Sequence, residues 1–299
     1  MHHTIARATL SFTLIATALT VGLSTPEMTS AYLRPTVDQY ATSPQLASSQ
    51  ISVPDVGATA GIVNIVAGDS HTCVLLDAGT VKCWGNNWAG QLGDGTNANR
   101  STPVDVRNLN TVVAIAASYG TTCALESDGV VKCWGNNDQG QLGDGTITNR
   151  NYPARVSSLG GPAVAIAVGR EHSCALLVSG TMRCWGWNAY AQLGTGSATP
   201  DRSLVPITAT VITGNIIQMA LGQSHTCVLL GTGGVKCWGS NSAGALGTGS
   251  SDPSPISSAQ TPTGLSSGVV KLAAGYEFSC AVINTGALRC WGRNDTGQI

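Results

Sequence analysis

The chain has 299 residues, only 10% of them charged, and a formal net charge of −1. An average domain carries about 25% charged residues, so there is no basic field here to draw in nucleic acid or an anionic membrane. Thirty-seven glycines suit the many tight turns of an all-β chain better than a helical one.

Residues 1–31 read as a secretory signal peptide. Arg7 precedes an apolar stretch from Ala8 to Leu23, and small residues follow. The stretch is short for a membrane span and diluted by Ser11, Thr13, Thr17 and Thr20, so removal is favoured over a retained anchor. No other segment reads as a span. Residues 32–60 form a Ser/Thr/Pro-rich linker. Within it, 51–57 is a candidate closing strand, because Ser52-Val53-Pro54-Asp55-Val56 resembles the later Thr102-Pro103-Val104-Asp105-Val106.

Five repeats follow, at 61–110, 111–160, 161–213, 214–266 and, incomplete, 267–299. Each opens on an apolar strand, IVNIVAG from Ile62 or VVAIAAS from Val112. Next comes HTCVLLDAGTVKCWGNN from His71, returning from Thr121, His172, His225 and Phe278. Two short strand-like runs enclose three residues that always end in glycine: Gly79, Gly129, Gly180, Gly233 and Gly286. A three-residue hairpin loop favours glycine at its left-handed third position. A glycine-rich turn comes next, such as GQLGDGT from Gly90, then a proline-bearing strand such as TPVDVRNL from Thr102. Proline places that last strand at an edge. Four strands per unit, repeated at a period of 50 to 53 residues, describe a β-propeller of four-stranded antiparallel blades. The expectation is four complete blades and one partial blade.

The hairpin register also bears on the cysteines. It sets Cys73 opposite Cys83, Cys123 opposite Cys133, Cys174 opposite Cys184, Cys227 opposite Cys237 and Cys280 opposite Cys290. Facing residues on antiparallel strands lie within disulfide reach, so five local disulfides are expected. Zinc is the rival reading, but structural zinc sites gather their ligands in a short motif and no second pair is adjacent here. Free core thiols are the remaining alternative. Disulfides persist in oxidising compartments, which agrees with export.

The apolar strand ending in AAG or VAG, then HTCVLL, VKCWGNN, GQLGDGT and a trailing PVDV, resembles the repeat of the regulator of chromosome condensation family. That superfamily also contains the secreted β-lactamase inhibitory protein II. The resemblance covers residues 61–299 and implies a seven-bladed propeller. The chain departs from that pattern at Gly297-Gln298-Ile299, inside its most regular motif, and so reads as a C-terminally shortened record. The arc would then be open, with apolar surface exposed on the fifth repeat.

No catalytic set stands out, and neither cofactor nor metal is expected. His71, His172 and His225 share a position with Thr121 and Phe278, which favours packing and hydrogen bonding over a metal ring. Asp94 and Asp144 sit in glycine-flanked turns, where turn formation is a simpler role than calcium binding. Trp84, Trp134, Trp185, Trp238 and Trp291 recur at one place and read as core. Trp88, Trp187 and Tyr190 do not recur. Together with Arg100, Arg150, Tyr152 and Arg202, they are candidate partner-binding residues on loops. The reading is a monomeric, non-enzymatic, secreted, periplasmic or surface-exposed scaffold that binds an unidentified protein and no nucleic acid. The alternatives that the resemblance implies are a hydrolase inhibitor of the β-lactamase-inhibitor type and a guanine-nucleotide exchange factor.

Overall fold

The computed structural model describes residues 61–299, so the signal peptide expected at 1–31, the linker expected at 32–60 and the strand expected at 51–57 lie outside the described residues. Blade 1 comprises β1 (Ile62–Ala67), β2 (His71–Leu76), β3 (Val81–Gly85) and β4 (Arg100–Asp105). Blade 2 comprises β5 (Val112–Ser118), β6 (Thr121–Glu126), β7 (Val131–Gly135) and β8 (Arg150–Arg155). Blade 3 comprises β9 (Ala163–Val168), β10 (His172–Leu177), β11 (Met182–Trp187) and β12 (Arg202–Thr208). Blade 4 comprises β13 (Ile216–Leu221), β14 (His225–Leu230), β15 (Val235–Asn241) and β16 (Asp252–Gln260). Blade 5 comprises β17 (Val269–Ala274), β18 (Phe278–Ile283) and β19 (Leu288–Gly292). Among the described residues no helix is long and apolar enough to cross a membrane.

The hairpin dictates each blade. In blade 1, Leu75 pairs with Val81, Val74 with Lys82 and Cys73 with Cys83, and the other four blades repeat this register. The loop glycines adopt φ of 74°, 82°, 80°, 79° and 86°, the left-handed region that a side chain would oppose. All five facing cysteine pairs are disulfides with Cα atoms 4.1 Å apart. The proline-bearing strands β4, β8, β12 and β16 lie at the sheet edges.

The expected count of four complete blades and one partial blade, inside a seven-bladed whole, needs correction. The described residues form five antiparallel blades. The fifth is a folded sheet in its own right, with β17, β18 and β19 hydrogen-bonded in order. It carries the bulge at Val269/Lys271, the Cys280–Cys290 bond and the left-handed Gly286 seen in its counterparts. The reason is local. The first strand and the cysteine hairpin pair with one another in register, so the sheet forms without a fourth strand among the described residues.

The core lies between blades. Leu75, Val81 and Leu92 of blade 1 pack with Ile115, Ala124 and Trp134 of blade 2. Each joint is pinned by an indole N–H donated to a carbonyl of the preceding blade. Trp134 donates to Gln91 O at 2.9 Å, Trp185 to Gln141 O at 2.8 Å, Trp238 to Gln192 O at 3.0 Å and Trp291 to Ala245 O at 2.9 Å. Trp134, Trp185 and Trp238 are fully buried, while Trp84 and Trp291 on the end blades are half-buried. The accepting carbonyls sit in loops held by a buried asparagine. Asn87 Oδ1 accepts from Leu92 N–H at 2.9 Å, and its Nδ2 donates to the carbonyls of Thr96 and Ala98 at 3.0 Å.

Candidate protein-interaction rim

His71 pairs with Gly85, so the turn from first to second strand and the loop leaving the third strand emerge at the same end of a blade. The turn residues are Asp69, Tyr119, Arg170, Gln223 and Tyr276, one structural slot filled four different ways. The flanking framework is strict. A Cβ added to Gly222 would lie 2.1 Å from the His225 ring and 2.8 Å from Gly275 O, so the chain holds glycine there. Main-chain bonds tie the turns to one another: Asp69 N–H to Tyr119 O at 3.3 Å, Arg170 N–H to Gly222 O at 3.3 Å, and Gln223 N–H to Tyr276 O at 2.8 Å. The slot is therefore rigid at the backbone and free only in its side chain.

Three of these side chains, together with Trp88, form a chain of contacts across the mouth. Trp88, 50% exposed, meets Tyr119 edge-on with centroids 6.2 Å apart. The Arg170 guanidinium lies 4.5 Å from the centre of the Tyr119 ring and 5.1 Å from that of Tyr276, and its Nη1 donates to the Tyr276 hydroxyl at 2.7 Å. Tyr119 belongs to blade 2, Arg170 to blade 3 and Tyr276 to blade 5. Asp69 of blade 1 lines the same small pocket as Arg170 and Tyr276. Tyr119 has φ of 48°, a conformation that a bulky residue adopts only when its surroundings hold it there.

Charge divides between the two ends of the blades. This rim carries Asp69, Asp138, Glu171, Glu277 and Asp295 against Arg170 and Arg293, and Arg293 is spent on Glu277 at 3.0 Å and Asp295 at 2.5 Å. Burial raises the Glu171 carboxyl above its ordinary range; Arg170 opposes the shift and Asp138 adds to it. At the far end lie Lys82, Lys132, Arg155, Arg183, Lys236 and Arg289. Lys82 and Lys132 pair with Asp105 and Glu126. The clefts at that end hold Asp128 and Arg155 between blades 2 and 3, in about 780 Å³, and mostly uncharged residues between blades 3 and 4.

The residues singled out in the sequence divide by environment. Trp88 stands on the rim. Trp187, the last residue of β11, and Tyr190, in the loop after it, are half-buried and edge-on to each other at 5.3 Å. Tyr152 is exposed on the outer strand β8, and Arg202 is half-buried beside Asp201 at 3.7 Å. Arg100 and Arg150 pair with Asp94 and Asp144 at 2.8 and 2.7 Å, inside the glycine-rich turns. Burial alone would raise those two carboxyls. Hydrogen bonds from Thr96 or Thr146 and the paired guanidinium hold both below the usual range. The histidines lie beneath the rim turns, packed against Gly68, Gly169 and Gly222, and bridge blades. Burial lowers His71 to about 4, His172 to about 3 and His225 to about 4, so all three are neutral near pH 7. Among the described residues no group of three or more His, Cys, Asp or Glu could hold a metal ion.

Tyr119, Arg170 and Tyr276 escape the sequence reading. The signal that finds them is the one slot, two residues before the histidine position, where near-identical repeats stop agreeing.

The sequence profile of the RCC1-like domain matches residues 21–299. The chain is 31% identical over 244 residues to the ultraviolet-B receptor UVR8 of Arabidopsis thaliana, across 80% of this chain and 54% of that protein. It is 36% identical over 134 residues to the E3 ubiquitin-protein ligase HERC2 of Homo sapiens, across 44% of this chain and 3% of the ligase. Among solved structures, human WBSCR16 superposes with a TM-score of 0.70 at 24% identity, over 80% of this chain and 63% of that one. The chain thus spans about half the length of the plant relative and a small part of the ligase.

Proposed function

Because the chain belongs to the RCC1-like domain family, we propose that it is a protein-binding propeller that performs no catalysis of its own and presents its partner with the rim around Trp88, Tyr119, Arg170 and Tyr276. One observation carries this reading. The backbone of the rim slot is locked by inter-blade bonds, while its side chains differ from blade to blade. A scaffold that fixes position and varies chemistry is suited to recognition. Exposed aromatic rings beside charges are the side chains that anchor protein interfaces. The histidines that might otherwise act as bases are each spent on a buried hydroxyl.

The place of action we propose is the cell surface, the periplasm or the extracellular medium. Five disulfides suit an oxidising compartment, and residues 1–31 would be removed as a signal, leaving 32–60 as a tether. A photo-crosslinking residue placed at Trp88, compared with one at Val178 on the opposite rim, tests the surface. Covalent adducts with envelope or extracellular proteins are expected from position 88 alone. Equal labelling from both positions, or none from position 88, would refute the assignment.

A further inference from the structure

We infer that Arg170 is the receptor for a single carboxylate side chain of the protein partner, delivered to the mouth of the propeller in a segment otherwise free of acidic residues. The inference rests on the reading of this rim as a protein-binding surface.

The guanidinium is held between Tyr119 of blade 2 and Tyr276 of blade 5, and one N–H is fixed by the Tyr276 hydroxyl at 2.7 Å. Its orientation is therefore set before any ligand arrives. The opposite edge makes no hydrogen bond and has only a long ion pair, to Glu171. Arg170 Nε is buried and has no hydrogen-bond partner, and the nearest carboxylate oxygen, on Glu171, stands 3.8 Å away, beyond bonding distance. An orphaned, shielded donor is costly to leave unmade. On that edge Nε is shielded, so Nη2 is the N–H left for a partner's carboxylate oxygen. Beside it lies a pocket of about 180 Å³ lined by Asp69, Ser118, Gln223 and Tyr276, a size for one short acidic side chain.

The surroundings define the rest of the partner. Asp69 is exposed at the pocket edge, Glu171 is half-buried next to Arg170, and Asp138 is close enough to Glu171 to raise its carboxyl. Three anions around one cation repel a polyanion such as nucleic acid or a run of acidic residues. A lone carboxylate must reach the guanidinium against them, so its neighbours in the partner have to be neutral or basic. Trp88 and Tyr276, 50% and 45% exposed, offer faces on which such basic neighbours can lie.

Short random peptides displayed on phage and selected on the immobilised full chain test this. Enriched peptides are expected to hold one Asp or Glu with neutral or basic flanks. Replacing that acid by its amide should weaken binding about tenfold or more, as loss of a charge-assisted pair implies. Arg170→Gln should do the same, Arg170→Lys should not restore binding, and Tyr276→Phe, which keeps the ring and loses the hydroxyl, should fall between. The melting temperature of each variant confirms folding, and the amide peptide needs no variant. Peptides that bind the rim with no acid, or bind Arg170→Gln as well as the parent, overturn the carboxylate site and leave the rim reading standing. No enrichment at all, or selection of the opposite rim, overturns both.

Discussion

Three of the four joints between successive blades are bridged by a histidine, and the joint between blades 2 and 3 is not. His71 Nε2 meets Thr122 Oγ1 at 2.8 Å, His172 meets Thr226 at 2.9 Å and His225 meets Ser279 at 2.9 Å, each on the next blade. In blade 2 the position is Thr121, whose hydroxyl turns back to its own Asn136 O at 3.0 Å. Ser173, the hydroxyl a histidine would meet, donates to Gln141 O at 2.9 Å. The difference is coupled to a second one. The histidine ring occupies the space where a side chain on the residue three before it would stand, and that residue is Gly68, Gly169 or Gly222. In blade 2 it is Ser118. Where the glycine goes, the histidine goes with it. The turn is rebuilt as Tyr119-Gly120, which is how a tyrosine comes to hold a left-handed backbone on the rim. The joint without a histidine is thus also the one whose turn carries Tyr119 on the rim.

Acid should separate the two kinds of joint most strongly. The hydroxyls of Thr122 and Thr226 donate to Gln91 O and Gln192 O, at 3.1 and 2.8 Å, so each must accept from the histidine Nε2–H. An Nε2–H is present on the charged ring too, so it is burial that keeps these rings neutral, against a Tyr119 carbonyl that favours the charged form of His71. In His71 and His172 Nδ1 is buried without a hydrogen-bond partner. Burial lowers the three rings from 6.5 to about 4, 3 and 4. Below about pH 6.5 the unfolded chain takes up these protons and the folded chain does not. Stability from this source is full above that pH and falls as the pH drops toward 4, by up to about 1.4 kcal/mol per pH unit for each ring. The melting temperature should decline steeply over that window. His172→Phe, which copies Phe278 of blade 5, should remove about a third of the slope. A melting temperature flat from pH 6.5 to 4 would mean that the rings are not held neutral.

A smaller loss is expected from the glycine side of the same pair. Gly222→Ala places a methyl against the His225 ring and Gly275 O, so the ring must surrender its bond to Ser279. Overpacking together with a broken buried bond should cost about 3 kcal/mol in a urea titration. Ser118→Ala, at the matching position of the unbridged blade, should change stability by less than about 1 kcal/mol. Equal costs at the two positions would remove the distinction.

These pairs also mark how far the sequence could be read. The hairpin register was legible because Gly79 and its four counterparts fix a local turn, and that turn alone puts Cys73 opposite Cys83. Trp134, Trp185 and Trp238 were legible as core, although their donation to the preceding blade was not, while Trp84 and Trp291 are only half-buried. The bridge from His71 to Thr122 spans 51 residues, and no local pattern states which hydroxyl a histidine will meet. The rim was harder still. Tyr119, Arg170 and Tyr276 become one site only when three blades turn their ends to a common axis. Arg100 and Arg150 looked free on a loop because the fold had not yet closed them on Asp94 and Asp144. The blade count failed for a related reason. A motif cut at Ile299 reads as a fragment, whereas the backbone of β17–β19 is complete as a sheet.

The smallest expected effect is the most direct test of the coupling. Thr121→His alone sets an imidazole against the Ser118 side chain. At the equivalent glycines an added Cβ would lie 2.3, 2.8 and 2.1 Å from a ring carbon of His71, His172 and His225. The single variant should therefore lose about 1–3 kcal/mol. Adding Ser118→Gly opens the space and lets the ring reach Ser173, whose hydroxyl still has a lone pair to accept from Nε2–H while it donates to Gln141 O. The double variant should recover about 1–2 kcal/mol relative to Thr121→His, a coupling that independent sites would not show. It should also carry a fourth buried ring, and so a steeper loss below pH 6.5 than the parent. If the double variant is no more stable than Thr121→His, the glycine is not what admits the histidine, and the two kinds of joint differ for another reason.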